Sequence, residues 1–147
     1  MKKTLKFFPI LLMAILGLSL ASCSDDDEPI SANELPATAQ AFIATYYPDA
    51  TVRSAQIDSD EYDVLLSDGT SIEFDLSGVW QSVDAPFGQT VPSGFYPENI
   101  DIYLEMNMPG AGINEINKET QGYDVELIDG TDLLFGWDGN FIGYDTF

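Results

Sequence analysis

Histidine does not occur in this chain, and cysteine occurs once, at Cys23. Those absences remove Cys-His and Ser-His-Asp nucleophilic machinery and zinc sites built on His or Cys ligands. They also remove disulfides within the chain, so a folded part must be held by its apolar core. Basic residues are nearly as scarce: five Lys and Arg stand against 25 Asp and Glu, and three of the five are Lys2, Lys3 and Lys6. Past residue 22 only Arg53 and Lys118 remain, so residues 23–147 carry two basic and 25 acidic side chains, a net charge of −23. A phosphate backbone is gripped with Lys and Arg, which excludes nucleic acid as a partner. A long hydrophobic span is lacking too. The apolar run Phe7 to Leu20 is fourteen residues interrupted by Pro9 and Gly17, short of the roughly 20 that a permanent membrane helix needs.

That run follows a basic start and precedes small residues, the order of an export signal over residues 1–22. Leu20-Ala21-Ser22-Cys23 resembles the lipobox read by lipoprotein signal peptidase, which predicts cleavage before Cys23, acylation there, and a membrane partner reached through the lipid. A free thiol or an intermolecular disulfide is the competing reading of a lone exported cysteine. Ser24-Asp25-Asp26-Asp27-Glu28 reads by composition as a solvated acidic tether, taken as residues 23–34. It is also similar to the signal that sends Gram-negative lipoproteins to the outer face of the outer membrane, so surface display is expected over periplasm-facing anchoring.

The rest, residues 35–147, repeats itself at a spacing of 61. Leu35-Pro36 returns as Tyr96-Pro97, Pro48 as Pro109, and Tyr62-Asp63-Val64 as Tyr123-Asp124-Val125. Asp68-Gly69-Thr70 returns as Asp129-Gly130-Thr131, Phe74 as Phe135 and Gly78 as Gly139. The spacing predicts a duplication, with copies at 35–84 and 96–145 joined by a Pro- and Gly-bearing linker at 85–95. Ala39, Phe42, Ile43 and Tyr46 follow helical periodicity, so residues 36–47 should form an amphipathic helix bounded by Pro36 and Pro48. Ile100, Tyr103 and Leu104 mark a second, shorter and less regular one between Pro97 and Pro109.

Period-two runs then predict strands over 52–57, 62–66, 70–74 and 79–83, and over 113–117, 123–128, 131–137 and 140–144. Asp68-Gly69 signals a two-residue type I′ hairpin. The expected fold is α+β: two tandem α-β4 units sharing one continuous antiparallel sheet, with both helices on one face. Tyr62, Val64, Leu66, Tyr123, Val125 and Leu127 would face the helices. Asp63, Leu65, Glu73, Asp124, Glu126 and Leu134 would line the opposite, acidic face, where a partner could sit.

Carboxylates are the chemistry that remains. A two-carboxylate glycosidase needs a deep sugar cleft that a domain this small rarely builds, so no enzyme and no cofactor are expected. Asp58, Asp60, Glu61 and Asp63 offer hard oxygen ligands close together, yet the loop fails as an EF-hand, with Asp63 where Gly belongs and Gly69 where Glu belongs. A solvated hairpin turn is the plainer reading. Trp80 and Trp137 could serve as sugar platforms, but they do not occupy equivalent positions in the two copies, and core packing or a hairpin cap is the expectation for each.

Leu35-Pro36, Tyr46-Tyr47-Pro48, Tyr62-Asp63-Val64-Leu65-Leu66-Ser67-Asp68-Gly69-Thr70, Ile72-Glu73-Phe74-Asp75 and Gly78-Val79-Trp80 together resemble the PepSY-like, beta-lactamase-inhibitor-like family over about residues 35–145. The resemblance implies tandem α-β4 units whose concave sheet clasps another protein. It therefore implies a non-enzymatic binding module for a protein or peptide, one that the acidic face would make basic. The alternative is a glycan-binding accessory lipoprotein of a nutrient-uptake system.

Overall fold

The computed structural model describes residues 28–145, so the expected export signal over residues 1–22, Cys23 and the acidic run before Glu28 lie outside the described residues. Strand β1 (Glu28–Ile30) and a 3-10 turn (Ala32–Glu34) lead into helix α1 (Ala37–Tyr46). Four strands follow: β2 (Val52–Asp58), β3 (Glu61–Leu66), β4 (Ser71–Asp75) and β5 (Trp80–Asp84). Helix α2 (Glu98–Asn107) then precedes β6 (Ile113–Glu119), β7 (Gly122–Leu127), β8 (Asp132–Gly136) and β9 (Phe141–Tyr144). All nine strands form one antiparallel sheet whose spatial order is the chain order, β1 to β9. Among the described residues the fold is α+β, with two α-helices and a continuous sheet.

The register explains where the core sits. Ala55, Val64, Ile72, Val83, Ile116, Val125 and Leu133 are partners in a single row across seven strands, and every one is buried. Side chains alternate along each strand, so Phe74 and Phe135 project from the same face as that row. Phe42 of α1 meets the Phe74 ring edge-on at 5.6 Å, and Tyr103 of α2 meets Phe135 at 5.4 Å. Both helices therefore lie on one face. Ala39 and Ile43 of α1 and Ile100 and Leu104 of α2 are buried there, one helical turn apart in each case. Burying each phenylalanine or leucine of this layer contributes about 2 kcal/mol.

The two helices are ten residues each, where a shorter second one was expected. Ile100 and Leu104 suffice to seat α2, and Met108 N–H closes it onto the Leu104 carbonyl at 2.8 Å. Glu28–Ile30, read as tether, pairs with β2, because Ile30 opposite Ala55 extends the apolar row by one strand. The segment read as linker is packed as well, with Ala85 and Val91 buried and Phe95 ringed by Phe42, Tyr46, Trp80 and Tyr96.

The hairpin at Asp68-Gly69 also departs from expectation. Leu66 N–H donates to the Thr70 carbonyl and Gly69 N–H to the Leu66 carbonyl, which makes a three-residue loop with Gly69 left-handed at φ 95. The Asp68 carboxylate accepts the Thr70 N–H at 2.9 Å and holds that geometry. Asp129 does the same for Thr131 at 3.0 Å.

Candidate functional site

The face away from the helices carries the sequence-predicted binding residues. Gln56, Asp63, Glu73, Ser82, Asn117, Asp124 and Leu134 are consecutive register partners across seven strands of it. A second row runs Leu65, Ser71, Asp84, Glu115, Glu126 and Asp132. Asp63, Leu65, Glu73, Asp124, Glu126 and Leu134 thus share one surface, all half-buried.

Opposed like charges are its dominant feature. Asp63 faces Glu73, and Asp84, Glu115, Glu126 and Asp132 stand side by side on four neighbouring strands. Directly opposite like charges destabilise a sheet. Partial burial together with Glu115 pushes the Asp84 carboxyl up to about 6. Glu126 is raised by burial first, then by Glu115, Asp132, Asp84 and Asp124. Asp84, Glu115 and Asp132 were not among the predicted residues. The pairing that assembles them joins β5 to β6 across α2, and local periodicity carries no signal for it.

Of the four acids weighed as cation ligands, the structure brings Glu61 and Asp63 together and adds Glu73 from β4, their carboxylate oxygens within 4.8 Å of one another. Asp58 and Asp60 fall outside that group: the Asp58 carboxylate accepts the Ser59 N–H of its own turn, and Asp60 lines a cleft that Glu61 and Glu73 also border. That cleft, about 360 Å³, is bordered by Asp60, Glu61, Glu73, Asp75, Lys118 and Glu119. Lys118 Nζ lies 4.3 Å from the centre of the Trp80 ring, a cation–π contact. Burial lowers the Lys118 pKa, and Asp75 partly offsets this.

Trp80 is 7% exposed and belongs to the core, as expected. Trp137, at the β8–β9 turn, is 53% exposed and touches Tyr123 at 5.3 Å, so it caps a hairpin. A sugar platform would thus rest on Trp137 alone of the two. Among the described residues no helix is long and apolar enough to cross a membrane.

Comparison with known proteins agrees with this architecture. A crystal structure from Bacteroides thetaiotaomicron, described as a "putative calcium-regulated periplasmic protein", is 34% identical, with a TM-score of 0.77 over 84% of this chain and 100% of that one. A "putative periplasmic protein" of Bacteroides vulgatus is 36% identical, with a TM-score of 0.76 over 84% and 100% of the two chains. A further "putative periplasmic protein of unknown function" from Bacteroides vulgatus is 29% identical, with a TM-score of 0.77 over 82% and 99%. No curated protein matches. Residues 60–143 match the family described as "Putative beta-lactamase-inhibitor-like, PepSY-like", and the chain belongs to that PepSY-like family.

Proposed function

We propose that this chain is a non-enzymatic binding module of the cell envelope that engages a basic protein or peptide through the sheet face opposite the helices. The observation that carries this is the row Asp84, Glu115, Glu126 and Asp132, four carboxylates on adjacent strands with no basic residue among them. Such a row costs stability in isolation and is relieved when a cationic surface covers it. The envelope setting rests on the periplasmic description of the relatives. Within it, Cys23 supplies the lipid anchor of an outer-membrane lipoprotein displayed at the cell surface, and the membrane is then its second partner.

The test is affinity capture from envelope and secreted fractions with the chain and with an Asp84→Asn, Glu115→Gln, Glu126→Gln triple variant, beside a glycan array. A protein retained at low salt, released near 0.5 M salt and lost with the variant supports the proposal, because screening removes such steering. Glycan binding without a protein partner, or a partner held equally by the variant, refutes it.

A second reading has its own observation. The Glu61, Asp63 and Glu73 carboxylates offer the hard oxygen ligands that Ca²⁺ takes, and a 34% identical relative is described as putatively calcium-regulated. On this reading Ca²⁺ adjusts the charge of the face. Calorimetry with CaCl₂ should then show binding that Glu73→Gln weakens at least tenfold, and absence of heat at millimolar Ca²⁺ removes the reading.

A further inference from the structure

Phe87 is 98% exposed, the most of any large apolar side chain among the described residues. It does not sit on a loose stretch of chain. Gln89 N–H donates to the Pro86 carbonyl at 2.8 Å, closing a turn over residues 86–89 with Gly88 at φ 77, the positive value that a type II turn needs at its third position. The Asn114 side-chain amide reaches across and donates to three carbonyls of that segment: Ala85 at 3.0 Å, Pro86 at 3.2 Å and Gln89 at 2.9 Å. On either side the chain is tied to β6, Ala85 N–H to the Asn114 carbonyl and Val91 N–H to the Ile113 carbonyl, each at 2.9 Å. The Pro86 ring backs onto the β3–β4 loop, where a carbon added at Gly69 would stand 3.0 Å from Pro86 Cγ. The turn is fixed at its base and along its length, while its tip touches nothing.

Folding gains almost nothing from a ring left in water. Association gains from it, because a phenylalanine carried on a turn whose backbone is already held in place loses little backbone entropy on docking. The surroundings state the kind of partner. Asp84 lies three residues before Phe87, and Glu115 follows Asn114, so the turn stands at the end of the carboxylate row that continues through Glu126 and Asp132. Strand direction separates it from the start of the described chain. Glu28 pairs with Ile57 at one end of β2, whereas Asp84 belongs to the row of Ser54, Leu65 and Ser71 toward the other end. Cys23 precedes Glu28 by five residues, at most about 18 Å of extended chain, so a lipid there would keep the Glu28 end, and not the Phe87 end, within that reach of the bilayer.

We propose that Phe87 is a preformed anchor that inserts into an apolar pocket with a basic rim on a protein partner, and that Asn114 is the positioning residue that presents it. This rests on the reading of the acidic face as a protein-binding surface.

The test places p-benzoylphenylalanine at position 87 of the full-length chain in the cells that make it. Position 106 on α2, where Met106 is 78% exposed, is the control, and position 124 reports the face itself. The expected result is one protein crosslinked from 87 and from 124, not from 106, with yield falling at least fivefold on Glu115→Lys. Phe87→Ala should then weaken binding of that purified protein about 30-fold without moving the melting temperature, and Asn114→Ala by a smaller factor with Phe87 still in place. A crosslink from 87 to a second copy or to lipid, equal labelling from 106, or unchanged affinity of Phe87→Ala overturns the anchor. Labelling from 124 alone leaves the acidic face standing while it sinks the anchor; labelling from neither position sinks both.

Discussion

Removing one carboxylate from the middle of the charged row should make the protein more stable. Glu115 faces Asp84 on β5 and Glu126 on β7, so Glu115→Gln deletes two directly opposed like-charge pairs while keeping the shape of the side chain. Each such pair is worth roughly 0.2–1 kcal/mol, and solvent screening at this half-open surface argues for the lower half of that range. The expected gain is about 1 kcal/mol at neutral pH and low salt, or about 4 °C in melting temperature for a domain of this size.

The pH dependence follows with a definite sign. A carboxyl whose folded pKa stands above its unfolded value binds its proton more tightly when folded, so its contribution favours folding below the window and is lost as pH rises through it. For Asp84 that window runs from its ordinary 3.8 to about 6, and the raised Glu126 adds to the same trend. The wild type should therefore melt higher near pH 5 than near pH 7.5, and Glu115→Gln should flatten the difference. Far-UV circular dichroism melts at both pH values, in 20 mM and 500 mM NaCl, measure it. If Glu115→Gln melts lower than wild type at pH 7.5, or gains as much in 500 mM as in 20 mM salt, the charge argument is wrong.

Three further outcomes are expected. Gly122→Ala should cost about 4 kcal/mol in urea titration, since at φ 147 a Cβ would come 2.0 Å from the Phe135 carbonyl oxygen, and backbone cannot step aside; a loss below 1 kcal/mol contradicts the close approach. Phe135→Ala should cost about 3–5 kcal/mol by the same measurement, because the ring is fully buried against Tyr103 and Phe141, while Ile142→Ala on the exposed side of β9 should stay within about 0.5 kcal/mol. Cys23→Ala should move the chain from the membrane to the soluble fraction on cell fractionation, and continued membrane attachment rejects the lipid anchor.

Much of the architecture was legible because alternation is a local signal. Val64 and Leu66, or Val125 and Leu127, announce a buried side simply by skipping a residue, and Pro36 with Pro48 bracket a helix. What stayed hidden depends on partners distant in the chain. Glu28–Ile30 is three residues with no period of its own, and it is a strand only because β2 offers an edge. The three-residue hairpin loops are set by aspartate side chains bonding two residues onward, which an Asp-Gly pair alone does not distinguish from a type I′ turn. Asp63, Glu73, Asp124 and Glu126 could be assigned a face by counting twos. Asp84 and Glu115 could not be placed side by side without knowing that β5 and β6 are neighbours. Phe87 lies within a Pro- and Gly-bearing stretch that reads as linker, and the turn that carries it is held by Asn114 from β6.

Because strands lie in the sheet in the order in which they are synthesised, every pairing but one joins segments separated by a short turn or, at β1 and β2, by a single helix. The exception, β5 with β6, spans only α2 and its flanking loops. Such a topology has a lower contact order than a sheet of the same strands in shuffled order, which favours faster folding. A polypeptide threading out of a narrow pore could therefore zip up strand by strand as it emerges, with no need to wait for its last residues before the first half is secure.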